Sequence, residues 1–277
     1  MPTTHELPQH ICDQINEPSC GPLRLDTTTY LSKSGTIFGV QINAPYTFLL
    51  LIIGILQCLR MYQNTSSMHA CIGKGEVKII LLLFVIFNFL TIPVINFQFF
   101  LLMKTELFYT VLSAFQMTAF ATFFFAIFAS GITIDRIHGI MRMSSHSFLA
   151  AATFCFSFII LGFCLIGLFI YNYYLFVIIL SINTFNIIFY VLNQIKKLKR
   201  IKSDVWAYGI LGILFTLYMM SILMTVVGAD IIALVTEKNL DNFFFFTIFN
   251  TLMVIMYHKY WLSTCDFEIE CLEFKFQ

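Results

Sequence analysis

The sequence predicts an all-α membrane protein, a bundle of seven transmembrane helices, and three observations carry that expectation. The 277-residue chain is 59% hydrophobic and 11% charged, where a soluble domain usually carries about 25% charged residues. Its apolar residues, 33 Phe among them, fall in long runs rather than at core spacing. Seven such runs approach or reach the roughly 17–25 residues that a helix needs to cross a bilayer.

The runs lie at about Ala44–Met61, Val77–Leu102, Leu107–Ile134, Phe148–Ile170, Tyr173–Leu192, Val205–Gly228 and Phe243–Tyr257. Arg60 and a polar stretch close the first. Pro93 interrupts the second, which a membrane helix tolerates as a kink. Only Tyr171–Tyr174 separate the fourth and fifth, so those two helices are expected to be antiparallel neighbours. The predicted organisation is an N-terminal segment over 1–43, a membrane domain over 44–260 and a short acidic tail over 261–277. Residues 1–30 lack a continuous apolar core and contain Glu6, Asp13, Glu17 and Asp26, so the first hydrophobic helix is expected to act as the insertion signal.

Positive charge orients the bundle. Twelve of the sixteen Lys and Arg fall on the side of the first, third and fifth loops and the C-terminus, and the run Lys196–Lys202 dominates them. The positive-inside rule therefore predicts a lumenal or exterior N-terminus and a cytosolic C-terminus. That places Cys12 and Cys20 in an oxidising compartment, where a disulfide is possible. Cys155 and Cys164 lie inside an apolar run and read as packing residues. Trp206, Tyr208, Tyr257, Tyr260 and Trp261 stand where an interfacial aromatic belt is expected. Asn64-Thr65-Ser66 has the pattern of a glycosylation acceptor, but the predicted orientation leaves it on the cytosolic side.

Little in the chain points to catalysis. Glu106, Asp135, Asp230 and Asp241 sit at span ends, and no HExxH, GxSxG or paired intramembrane carboxylate occurs. His138, His146 and His258 share the predicted cytosolic side, the minimum for a zinc site of the seven-helix hydrolase kind, but interfacial histidines without a role are the preferred reading. Asn88, Asn96, Gln116, Asn183, Asn186 and Asn250 lie within spans and are expected to join helices by hydrogen bonds. A net charge of +1 gives no footprint for nucleic acid. Neither a catalytic residue, a metal nor a cofactor is predicted. Asp135-Arg136 at the end of the third span resembles the acidic-Arg signature of seven-helix receptors, so a receptor signalling through its cytosolic loops is the alternative reading. The sixth span lacks that family's Pro, and the seventh lacks its Asn-Pro-x-x-Tyr.

Short segments in order along the chain resemble the fungal chitin synthase export chaperone family. Cys12-x7-Cys20 is similar to its early cysteine pair, and Ile37-Phe38-x-Val40 fits ahead of the first span. Ile72-Gly73-Lys74-Gly75-Glu76 is similar to its Ile-Gly-basic-x-Glu before the second span. Asn250, then Lys259-x-Trp261, then Thr264 and Asp266-x-Glu268-x-Glu270 resemble its last helix, Lys-x-Trp and acidic tail. The acidic cluster after the third span is reduced here to Asp135-Arg136-Ile137-His138-Gly139, and the tail is shorter. The resemblance implies a non-enzymatic, multi-pass chaperone of the endoplasmic reticulum membrane. It further implies chitin synthase as the client, with a role in export and cell-wall synthesis. The partners expected are that client and the lipid bilayer.

Overall fold

In the computed structural model the residues described are 35–37, 40–42, 44–68, 71, 73–95, 106–136, 145–170, 174–201, 205–226, 232, 240 and 242–273. Cys12 and Cys20 lie outside them, as do Ile72, Asn96 and His138. Among the described residues there are two short strands and seven helices. Strands β1 (Gly35–Ile37) and β2 (Val40–Ile42) pair antiparallel with Ile37 opposite Val40, a small hairpin before the bundle. The helices are α1 (Pro45–Ser67), α2 (Lys74–Ile95), α3 (Glu106–Arg136), α4 (Ser145–Phe169), α5 (Tyr174–Ile201), α6 (Val205–Val226) and α7 (Asn242–Glu273).

Each helix begins where local chemistry allows. Pro45 opens α1, where its missing N–H costs nothing. Gly73, at φ 77°, takes the left-handed turn that leads into α2, a conformation costly for a residue with a Cβ. Glu76 sits in the first turn of α2, where its charge suits the helix dipole. Helix α5 runs on through Lys196–Arg200 to Ile201, so most of the basic run expected in a loop is helical. Likewise α7 continues to Glu273, and the boundary expected near residue 260 falls inside one unbroken helix.

Six of the seven helices, α1 to α6, are long and apolar enough to span a membrane. Helix α7 dilutes its apolar run with Asn250, His258 and Lys259. The helices close into a ring around α3. Helix α3 packs on α2, α4 and α5, α6 packs on α7, and α7 returns to α1 and α6. The apolar window of α3 is 72% buried, against 22% for that of α4, which identifies α3 as the axis and α4 as an outer helix. Phe154, Phe158, Ile159 and Ile166 of α4 are exposed, as lipid-facing side chains would be. Cys155, expected as a packing residue, is on this exposed surface, whereas Cys164 is buried.

A chain of aromatic rings fills the centre. Phe84 and Phe87 of α2 meet Phe123 and Phe120 of α3, each pair at 5.1 Å between centroids. Phe120 reaches Phe246 of α7 at 5.5 Å, and Phe124 reaches Tyr218 of α6 at 5.2 Å. Four helices are thus joined by tilted ring contacts, each adding about 0.5–1.5 kcal/mol beyond area burial.

Candidate functional site: a polar cluster at one end of the bundle

Where α1 ends and α2 begins, the bundle changes character from apolar to polar. Thr65 is fully buried in the last turn of α1, and its hydroxyl donates to the Met61 carbonyl at 2.8 Å. That hydroxyl has one proton, so toward His258 of α7 it is the acceptor: the Nε2–H of His258 donates to it across 3.0 Å. The same logic holds twice more. Ser130 of α3 spends its proton on the Ile127 carbonyl and accepts from the Tyr257 hydroxyl at 3.3 Å. Thr184 of α5 spends its proton on the Leu180 carbonyl and accepts from Tyr218 of α6 at 3.1 Å. In addition, Tyr260 donates to the Gln194 side-chain carbonyl of α5 at 3.0 Å.

Helix α7 therefore carries the hub. Three of its residues within one turn, Tyr257, His258 and Tyr260, bond to α3, α1 and α5 respectively. Tyr190 of α5 packs on Tyr257 at 5.9 Å between rings, and Trp261 packs on His258 at 5.8 Å. Tyr257 and Tyr260 are 3% exposed and Trp261 6%, which corrects their expected place in an aromatic belt. The hydroxyls of Tyr257 and Tyr260 have partners on neighbouring helices, so these two rings gain more from the interior than from the interface. Trp206, at 73% exposure, does stand at the surface.

The segment before α2 is fixed to this hub. Lys74 donates through Nζ to the Ser66 and Met68 carbonyls at 2.8 and 2.6 Å, which satisfies carbonyls at the end of α1. Lys78 donates to the Ser66 hydroxyl at 2.7 Å. Glu76 is 2% exposed and accepts a hydrogen bond from the Ser145 hydroxyl at the start of α4, so its partner there is a hydroxyl rather than a cation. Gly75 lies against His146, and a Cβ at Gly75 would stand 2.3 Å from that ring's Cδ2. Finally, Cys71 is joined to Cys265 of α7 by a disulfide across 194 residues, with Cα atoms 5.5 Å apart.

The two motif segments far apart in sequence are thus brought together. Gly73, Lys74 and Glu76 border the hub, and Lys259 and Trp261 belong to it or adjoin it. Asp266, Glu268 and Glu270 follow on the same helix. Asn250 stands deeper, two turns back along α7, with its amide donating to the Phe246 carbonyl at 2.9 Å. Near it, Gly54 of α1 lets α2 and α7 approach, and a Cβ there would meet Thr251 Oγ1 at 3.3 Å and Asn88 Nδ2 at 3.6 Å.

Among the described residues, the cross-helix hydrogen bonds expected of Asn88, Gln116 and Asn183 are not made. The side chains of Asn88, Gln116 and Asn183 are buried without a hydrogen-bond partner among the described residues. Cross-helix bonding falls to Tyr, His and Gln194 instead. Sequence reasoning also missed the Cys71–Cys265 pair, although each half lies beside a motif and both were expected on the same membrane side. Among the described residues no three His, Cys, Asp or Glu gather as a metal site.

A helical bundle with six helices long and apolar enough to cross a membrane, closed at one end by a tyrosine-rich polar hub, has the architecture of a multi-pass membrane protein. The model of the chitin synthase export chaperone family matches residues 9–273, nearly the whole chain, and the chain belongs to that family. No curated protein and no solved structure matches it. The family match leaves the receptor reading without support.

Proposed function

We propose that this chain is a non-enzymatic chaperone of the endoplasmic reticulum membrane that helps chitin synthase to fold and leave that compartment. The observation that carries the proposal is the family match over 9–273 together with the convergence of residues 73–76 and 257–265 in one buried hub. In this reading the chain crosses the membrane seven times, with its N-terminus lumenal and its C-terminus cytosolic. Parallel packing of α1 and α7, which share contacts from Gly54 and Thr251 to Thr65 and His258, supports an even number of reversals between them. A client with incompletely packed spans exposes polar helix faces, and Asn186 of α5, half-buried with its amide NH2 unpartnered among the described residues, is a group to offer them. The acidic positions Asp266, Glu268 and Glu270 extend α7 beyond the hub and would contact basic client loops or coat machinery.

Deletion of the gene, with the synthase followed by microscopy and chitin by staining, tests the proposal. The synthase is expected to stay in the endoplasmic reticulum and chitin to fall; normal surface delivery with normal chitin refutes the chaperone role. Truncation after Trp261 tests the acidic extension, and unchanged delivery refutes a role for it.

A further inference from the structure

The Cys71–Cys265 bond ties two parts of the chain that serve different ends. Cys71 lies in the short connection between α1 and α2, is half-buried and contacts Met68 Sδ through its sulfur. Cys265 is 3% exposed on α7, one turn beyond Trp261. The helix continues for eight residues past it, and these carry Asp266, Glu268, Glu270 and Glu273. Positions 266, 270 and 273 are spaced by four and three, so they share one stripe of that helix. The bond is therefore the last described covalent tether between the bundle and the acidic stripe. In the orientation proposed above, both cysteines face the cytosol, where thiols are kept reduced and a lasting disulfide is uncommon.

We propose that Cys71 and Cys265 form a reversible thiol–disulfide latch, which pins the acidic end of α7 to the α1–α2 connection when oxidised and frees it when reduced. The reductant is a low-molecular-weight thiol of the glutathione class. Its thiolate attacks the more accessible sulfur, that of Cys71, and the Cys71–Cys265 bond breaks. Cys265 leaves as a thiolate and takes a proton from water. A second thiolate attacks the sulfur of the first in the mixed disulfide. Cys71 is then released, also to be protonated, together with one oxidised thiol dimer. Two electrons and two protons enter the protein. Reoxidation by the same disulfide dimer reverses each step. With the bond open, the end of α7 beyond Cys265 has lost its covalent cross-link to the α1–α2 connection, and a helix end frays at low cost.

The cytosolic location rests on the proposed orientation, but the latch can be read in detergent, where orientation plays no part. Purified full-length protein is equilibrated in glutathione buffers ranging from lumenal to cytosolic poise. Thiols are then counted by maleimide mass-tagging, and the acidic end is probed with a glutamate-specific protease. Two additional thiols, absent from the same titration of Cys71→Ser, are expected to appear within that range. Cleavage after Glu268, Glu270 and Glu273 should then accelerate on the order of tenfold, as for a segment passing from the protected to the fraying end of the local-opening scale. Cys71→Ser should show the fast rate in every buffer, and Cys271→Ser should leave the response unchanged. A pair that stays oxidised at cytosolic poise overturns the latch, as does a cleavage rate indifferent to reduction or a response lost in Cys271→Ser. Impermeant maleimide applied to sealed microsomes separately reports which side Cys71 faces, so an inverted orientation would be distinguished from a failed latch.

Discussion

The Thr65–His258 bond offers a test of the hub that does not depend on client export. Thr65→Val keeps the shape of the side chain and removes the oxygen that accepts the His258 Nε2–H. The Met61 carbonyl loses a second donor only, because it keeps its helical N–H. The cost is therefore that of one buried donor left unpaired. Such a group costs about 1–3 kcal/mol in a protein interior. Within membranes, measured hydrogen-bond couplings average about 0.6 kcal/mol and reach about 1.7, because the unfolded chain in lipid also finds partners. Thr65 is 0% exposed and His258 6%, so water cannot rescue the donor, and the upper part of the membrane range applies. We expect about 1.5 kcal/mol from Thr65→Val, or roughly 3–6 °C in the midpoint at about 2–4 °C per kcal/mol for a chain of this size. His258→Phe should cost a similar amount while preserving a ring against Trp261. The double variant removes both partners and should cost less than the sum by about 1 kcal/mol, since replacing donor and acceptor together with apolar groups approaches neutrality. The assay is thermal unfolding in detergent, run as a double-mutant cycle. Single-variant losses that add to within about 0.3–0.5 kcal/mol would refute the bond and with it the hub's closure of α1 on α7.

Two further outcomes follow from the same geometry. Gly75→Ala places a methyl 2.3 Å from His146 Cδ2, and the crowding should cost about 1–3 kcal/mol. His146→Ala in the same chain should recover most of it, again read as unfolding midpoints. Asn88→Leu replaces a buried amide without a hydrogen-bond partner among the described residues by an apolar side chain. It should raise the midpoint, since an unsatisfied buried polar group costs about 1–3 kcal/mol. A lowered midpoint would show that Asn88 has a partner that offsets its burial.

Helix positions were legible because they follow from length and solvent alone. A run of 20 apolar residues has few homes, and the predicted spans at Leu107–Ile134 and Val205–Gly228 nearly coincide with α3 and α6. The ends were less legible. Lys196–Arg200 reads as a loop by charge, yet a long helix can project its last turns beyond the bilayer and keep its backbone bonded. The site was half legible. Lys74, Glu76, Lys259 and Trp261 were found by resemblance, whereas Thr65, Ser130, Tyr190 and Gln194 were not, because nothing local distinguishes a buried hydroxyl from an exposed one. Tyr257 and Tyr260 were placed in the belt for the same reason: position along a span gives depth, not direction.

By itself the sequence determined that the chain is a set of membrane-length helices with an uneven charge and two motif segments at related depths. Tertiary structure decided which way each helix faces. In water an amphipathic stripe records that choice, because core and solvent differ in polarity. In lipid the surroundings are as apolar as the core, so no stripe is written. Helix α4 is the more apolar of the two, at a mean hydropathy of 2.5 against 1.8 for α3, yet it is α3 that is 72% buried and α4 only 22%. Only packing against neighbours separates them, and only that packing sets Cys71 beside Cys265 and Thr65 beside His258.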